Sequence, residues 1–214
     1  NHHFCKEKDF YDFNSGYLLG NTYKLDMMDG FFAVEPSLNL FEVYQKRFLN
    51  IINPIFSYSV AIAESKGITA DEMNRVFTIA SIIESEAKID SEKEIVSGVI
   101  QNRINKNMKF EMDATVIFCF ELSLDSNFLM AERPDRLFYK DLEIDCDYNT
   151  YKNSGLPPGP ISAPGLAALN AAMNPSSHNY HFYVLERDGL HHYFSETYDE
   201  HLGYIKLLRG TYSE

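Results

Sequence analysis

The chain has 214 residues, 45% of them hydrophobic, enough apolar material for one ordinary domain with a smaller lobe, which excludes a disordered polypeptide. Lys and Arg number 19 against 31 Asp and Glu, a formal balance of −12, and a field of that sign repels phosphate backbones and anionic membrane surfaces, so nucleic acid is excluded as a natural partner. There is no run of about 18 apolar residues to span a bilayer as a helix, and no signal peptide is visible.

In chain order, residues 1–68 read as a small N-terminal lobe. Aromatics and acids mix there without helical periodicity until Leu38, after which Leu40-Phe41-Glu42-Val43-Tyr44 and Phe48-Leu49 through Ile51-Ile52 repeat at three to four residue steps and predict a connecting helix. Lys66-Gly67 breaks the chain. The main domain, 69–214, then opens on Thr69-Ala70-Asp71-Glu72, a capping box that starts a helix running to about Ala87. Asp90 or Ser91, with Glu94 behind, starts a second helix whose apolar stripe is Val96, Val99, Ile100 and Ile104.

From about Asn107 to Tyr151 the pattern is irregular, with a candidate strand at Thr115-Val116-Ile117-Phe118 and acidic loops near the site through Asp125, Asp135, Asp141, Asp145 and Asp147. Gly155-Leu156-Pro157-Pro158-Gly159-Pro160 predicts a rigid turn, because proline fixes φ and removes a donor. Ser162 is the expected cap of a helix from Ala163 to Met173, stopped by Asn174-Pro175. His181 to Leu185 and His191 to Phe194 flank Asp188-Gly189 as a hairpin, and Thr197-Tyr198-Asp199-Glu200 is a capping box for a terminal helix to about Leu208. Cys5, Cys119 and Cys146 have no close spacing, so they suggest neither a disulfide framework nor a Cys-rich metal site.

A step of about 100° per residue gathers Met73, Val76, Phe77, Ala80, Ile83 and Ala87 of the first helix on one arc, with Glu84 inside it and Glu86 about 160° away. A carboxyl on an apolar stripe loses hydration and keeps its proton to higher pH, as a general acid requires. Periodicity alone leaves open the other reading, in which Glu84 makes a buried hydrogen bond or ion pair. His178, His181, His191 and His192 raise the question of zinc, but paired strand positions point alternately to opposite faces, so no metal is assigned.

Ile79-Ala80-Ser81-Ile82-Ile83-Glu84-Ser85-Glu86-Ala87 resembles the segment carrying the catalytic glutamate in the MltG (YceG-like) family of endolytic murein transglycosylases. The likeness continues through Asn102-Arg103, Asp113-Ala114-Thr115-Val116-Ile117, Asp141-Leu142, Tyr148-Asn149-Thr150-Tyr151, the Gly155 to Pro160 turn, Pro164-Gly165 and His192-Tyr193-Phe194-Ser195. Leu18 to Tyr23 is similar to the segment that joins a LysM-like lobe to the catalytic domain in that family. Departures are Ala114 where the family usually has Pro, Glu111 near its Gln, and Cys146-Asp147 where it has Ser-Pro.

The resemblance implies an α+β fold: a small N-terminal LysM-like lobe, then a mainly helical YceG-like catalytic domain with a β-hairpin. It implies a lyase that cuts the bond between MurNAc and GlcNAc in peptidoglycan glycan strands, leaves 1,6-anhydroMurNAc ends and needs no cofactor. Glu84 would be the acid, then the base. Glu86, Asn102, Arg103, Asp113, Thr115, Tyr148, Asn149, Thr150, Tyr151, His192 and Phe194 would bind substrate or support the site, with Asn149, Thr150 or Tyr151 donating to the sugar. A membrane helix absent from this sequence would anchor the whole protein to the outer face of the cytoplasmic membrane, beside membrane peptidoglycan synthases. The rival classes are a non-catalytic peptidoglycan-binding module and a metal-dependent amidase or peptidase.

Overall fold

The computed structural model describes residues 57–122 and 137–210. Residues 1–56, on which most of the small lobe expected over 1–68 falls, with its connecting helix and LysM-like part, lie outside the described residues, as do Asp125 and Asp135.

Helix α1 includes residues 57–66, and Gly67 follows it at a φ of 65°, a left-handed turn that glycine takes without a Cβ penalty. Helix α2 is Ala70–Glu86, and the expected capping box is complete: Thr69 Oγ1 accepts from the Glu72 amide while the Glu72 carboxylate accepts from the Thr69 amide. Ala80, Ile83 and Ala87 of the expected arc are buried, but so are Thr78, Ser81 and Ile82. The second half of α2 is therefore enclosed on more than one side, between α5 and α3 on one hand and α4 on the other.

Helix α3 is Asp90–Asn105, and Val96, Val99 and Ile100 are fully buried as the stripe predicts. It starts at Asp90, as expected, with Ile89 at the cap position and no side-chain cap. Gly98 faces the segment that leads to the hairpin, where a methyl group would collide with the His178 ring and the Ser176 carbonyl.

Helix α4, Asp113–Leu122, replaces the strand expected at Thr115 to Phe118. A short apolar run does not distinguish a buried strand from a buried helix, and packing outweighs the β-preference of Thr, Val and Ile. Thr115 Oγ1 donates to the Met112 carbonyl and so meets its own hydrogen-bonding need in the first turn. Cys119 of α4 is disulfide-bonded to Cys146, a pairing that the sequence spacing gave no reason to expect. A single 3₁₀ turn, Asp141–Glu143, precedes Cys146.

Helix α5 is Leu166–Met173 with Gly165 as its cap, three residues beyond Ser162. Pro164 disfavours helical geometry at Ala163, and Ser162 instead donates to the Ser81 carbonyl. With Ser81 Oγ accepting from the Ile161 amide, this bond pins the Gly-Pro turn to α2. Helix α5 packs on α2 and α3, and Ala168 and Leu169 join Ile83, Val96 and Ile100 in the core.

Strands β1, Phe182–Leu185, and β2, His192–Ser195, pair antiparallel with Phe182 opposite Ser195 and Leu185 opposite His192. The Asp188 carboxylate accepts from the amides of Leu190 and His191, and Gly189 takes a φ of 69°, which closes the expected hairpin. Helix α6, Tyr198–Arg209, begins at the Thr197 capping box and packs on both strands. Among the described residues the fold is thus mixed helical with one two-stranded ribbon.

Two stability outcomes follow from this packing. Gly98→Ala should lower stability by about 1–3 kcal/mol through overpacking, read as a reduced urea midpoint. Reduction of Cys119–Cys146, which are 27 residues apart, should cost about 3–4 kcal/mol by releasing a closed loop, seen as a lower midpoint with reductant that Cys119→Ser reproduces.

Candidate active site

Glu86 is half-buried at the end of α2, and its carboxyl is held between α4 and the hairpin. One oxygen accepts from the Tyr183 hydroxyl at 2.9 Å and the other from the Ala114 amide at 3.4 Å, in the first turn of α4. Burial pushes this carboxyl above its ordinary range; the Tyr183 hydrogen bond pulls it back, the Asp113 charge raises it again, and the Ala114 amide and His192 ring oppose that rise.

Glu84, which the periodicity favours as the desolvated acid, sits differently. Its side chain is 24% exposed and paired with Lys93 at 3.1 Å, while the Gly165 amide at the start of α5 donates to it at 3.4 Å. Lys93 also contacts Asp90 at 2.9 Å. This is the ion pair that the sequence left open as the other reading. A one-stripe wheel assumes a helix buried along one face, whereas the end of α2 is held between two sets of neighbours, and the desolvated position falls at Glu86.

Arg103 organises the surroundings. It is 7% exposed, donates to the His181 carbonyl at 2.6 Å and to the carbonyls of Lys109 and Phe110, and its guanidinium lies 5.2 Å from the centre of the Phe182 ring. Asn102 next to it donates to the carbonyls of His178 and Tyr180 at 2.8 and 2.9 Å. Both residues therefore hold backbone.

Asp113 accepts from the Tyr151 hydroxyl at 2.6 Å, and burial followed by that hydrogen bond raises the Tyr151 phenol. Thr115 and Thr150 share a hydroxyl contact of 2.9 Å, and Thr150 Oγ1 accepts from the Met112 amide. Asn149, 0% exposed, donates to the carbonyls of Leu142 and Ile144, and its own oxygen accepts from the Tyr151 amide. Asn149 and Thr150 thus brace the loop from within, which leaves Tyr151 as the half-buried member of the three once expected to donate to sugar. Glu111, beside this loop, holds a left-handed φ of 52° that a side chain rarely adopts, and its amide donates to the Thr150 carbonyl. Tyr148 packs edge-on against Phe118 at 4.8 Å.

On the hairpin, Tyr183, His192 and Phe194 share one face by strand alternation and register. His192 is buried, and Glu92 accepts from its amide at 3.0 Å and contacts Nδ1 at 2.7 Å. The ring of Phe194 lies 6.0 Å from those of Tyr183 and His192. His178, His181 and His191 contact the Ile95 carbonyl, the Glu196 carbonyl and Asp188 respectively.

Sequence reasoning missed Tyr183, Lys93 and Glu92. The period-two signal that places Tyr183 on the face of His192 and Phe194 was available, but not the docking of that face on the end of α2. A cavity of about 380 Å³ opens beside Asn102, Lys106, His181 and Thr197, with neither Glu84 nor Glu86 in its lining. The desolvated carboxyl is the better marker of chemistry, because proton transfer needs a group with a displaced pKa.

The chain is 30% identical over 186 residues to an endolytic murein transglycosylase of Bacillus subtilis strain 168, covering 87% of this chain and 45% of that protein. It is 29% identical over 138 residues to one of Streptococcus pneumoniae serotype 2 strain D39, covering 64% of this chain and 24% of that protein. The chain thus spans less than half the length of these curated relatives. A 2.6 Å crystal structure of a YceG-like protein from Listeria monocytogenes superposes with a TM-score of 0.58 at 31% identity, over 76% of this chain and 47% of that one. The model of the YceG-like family matches residues 2–206, and the chain belongs to that family.

Proposed function

We propose that this chain carries the chemistry of an endolytic peptidoglycan lytic transglycosylase and that Glu86 is its general acid and base. The observation that carries the reading is the half-buried carboxyl of Glu86, raised by desolvation yet held by the Tyr183 hydroxyl and the Ala114 amide, in a chain whose relatives are named endolytic murein transglycosylases.

Protonated Glu86 gives its proton to the oxygen linking MurNAc C1 to GlcNAc, and the C1–O bond breaks with its electron pair going to that oxygen. Positive charge then develops on the MurNAc ring. The C6 hydroxyl of the same sugar adds to C1, and the Glu86 carboxylate takes its proton, leaving a 1,6-anhydro end and a carboxylic acid ready for the next cycle. No water is consumed, so one carboxyl does both proton transfers, unlike the two-carboxylate schemes of hydrolysis. Neither transfer calls for a cofactor. The Tyr151 hydroxyl donates to Asp113 at 2.6 Å, so its oxygen is left to accept from the sugar, and the substrate's own acetamido group supports the charge.

Glu84 has one observation in its favour as the alternative acid, its partial exposure. Its carboxylate is occupied by Lys93 at 3.1 Å and by the Gly165 amide at 3.4 Å, which ties it to α3 and α5. The substrate lies outside the cytoplasmic membrane, so the proposal places the domain there, anchored through sequence beyond this chain and working beside membrane peptidoglycan synthases. Among the described residues no helix is long and apolar enough to cross a membrane.

Glu86→Gln should lower release of 1,6-anhydroMurNAc products from isolated glycan strands by about 10²–10⁴-fold at unchanged melting temperature, because the amide fills the same space without exchanging a proton. Glu84→Gln should keep markedly more activity. The reverse order would return the acid to Glu84, full activity in both variants would move the acid to another group, and no cleavage by the unsubstituted chain would leave a binding module as the better reading.

A further inference from the structure

The reaction described above asks opposite things of one carboxyl. It must hold a proton long enough to give it away, then stand as a carboxylate long enough to take another. Burial beside Asp113 serves the first half and works against the second, since both disfavour the negative charge. A buried group serves both halves only where some donor supports its charged form.

We propose that Tyr183 is the positioning residue for Glu86, its phenol fixing one carboxyl oxygen and keeping the carboxylate form accessible. Its hydroxyl lies 2.9 Å from Glu86 Oε2, against 3.4 Å for the Ala114 amide at the other oxygen, so it is the closer of the two donors. Each carboxyl oxygen keeps a second lone pair for a substrate oxygen. The phenol is itself held in place. Tyr183 pairs with Phe194 across the ribbon, and its ring meets the His192 ring edge-on at 5.3 Å. His192 is fixed in turn by two contacts to Glu92 of α3.

Burial and the Glu86 charge keep Tyr183 a phenol, so it does not compete for the proton. The other groups facing Glu86 are Arg103 of α3, Asp113 of α4, Tyr151 of the braced loop and His192 of β2. Asp113 disfavours the Glu86 charge, and Tyr151 donates to Asp113. On its own helix, Glu84 is occupied by Lys93. Arg103 acts on Glu86 through its field, its Nε and Nη1 donating to backbone carbonyls and its Glu111 contact being 3.7 Å. Tyr183 is thus the side chain that touches the carboxyl and supports its charge.

This inference rests on the reading of Glu86 as the reacting group, and its test separates the two. In ¹³C-carboxyl NMR the Glu86 resonance is identified as the one lost in Glu86→Gln. In Tyr183→Phe, which keeps the ring, its titration midpoint should rise by about one pH unit, the size expected for losing a hydrogen bond to a charged group. The limb of the kcat–pH profile that reports this group should move up with it. Replacing Tyr183 by 3-fluorotyrosine makes the phenol a stronger donor without emptying its space, so the midpoint should fall. Midpoints that stay put or move in the same direction in both variants overturn the proposal. Opposite shifts in a chain that releases no anhydro product would uphold the hold of Tyr183 on Glu86 and defeat the proposed function instead.

Discussion

The buried guanidinium of Arg103 is the constraint on which the rest of the site depends. Its donors meet the carbonyls of His181, Lys109 and Phe110, so one side chain on α3 ties the start of the hairpin to the turn that leads into α4. Those two segments carry the two donors to Glu86, the Tyr183 hydroxyl and the Ala114 amide. Removing Arg103 would leave backbone carbonyls unpaired in a dry interior, a cost of about 1–3 kcal/mol for each. It would also free both walls of the site to move. Lysine does not replace it, because an ammonium is a single point of charge and lacks the planar fork that spans two segments.

Around that anchor, polar groups do work that apolar packing does not. Ser81, fully buried in α2, receives the amide of Ile161 and the hydroxyl of Ser162 and so fixes the Gly-Pro turn. Thr150 bonds to Thr115 and to the Met112 amide and so holds the loop after Cys146 against α4, Asn149 braces that loop from within, and the disulfide joins the same two segments. The apolar core of Ile82, Ile83, Ile100 and Leu169 supplies the burial energy. The polar set decides which carboxyl loses its water.

Elements specified by local chemistry were legible in the sequence. Both capping boxes, the stripe of α3 and the Asp188-Gly189 hairpin depend on residues within a few positions of one another, and the structure has them where the pattern puts them. Features set by distant neighbours were not legible. The run from Thr115 to Phe118 becomes helical because α4 is buried, Ser162 is drawn away from capping by Ser81, and Cys119 meets Cys146 across a separation of 27 residues. The roles of Glu84 and Glu86 belong to the same class. Their place on one helix end is local, but Lys93 from α3 and Tyr183 from the hairpin decide which is paired and which is desolvated.

The family assignment rests on the match across residues 2–206, whereas the assignment of proton transfer to a single half-buried carboxyl makes a narrower chemical claim. A carboxyl that gives and then takes a proton, with the sugar's own hydroxyl as acceptor, yields a product that hydrolysis cannot make. Mass spectrometry of the fragments released by the unsubstituted chain from purified uncrosslinked glycan strands tests this most directly. The account predicts new ends that are 1,6-anhydroMurNAc; fragments ending in reducing MurNAc, which carry an added water, would contradict it.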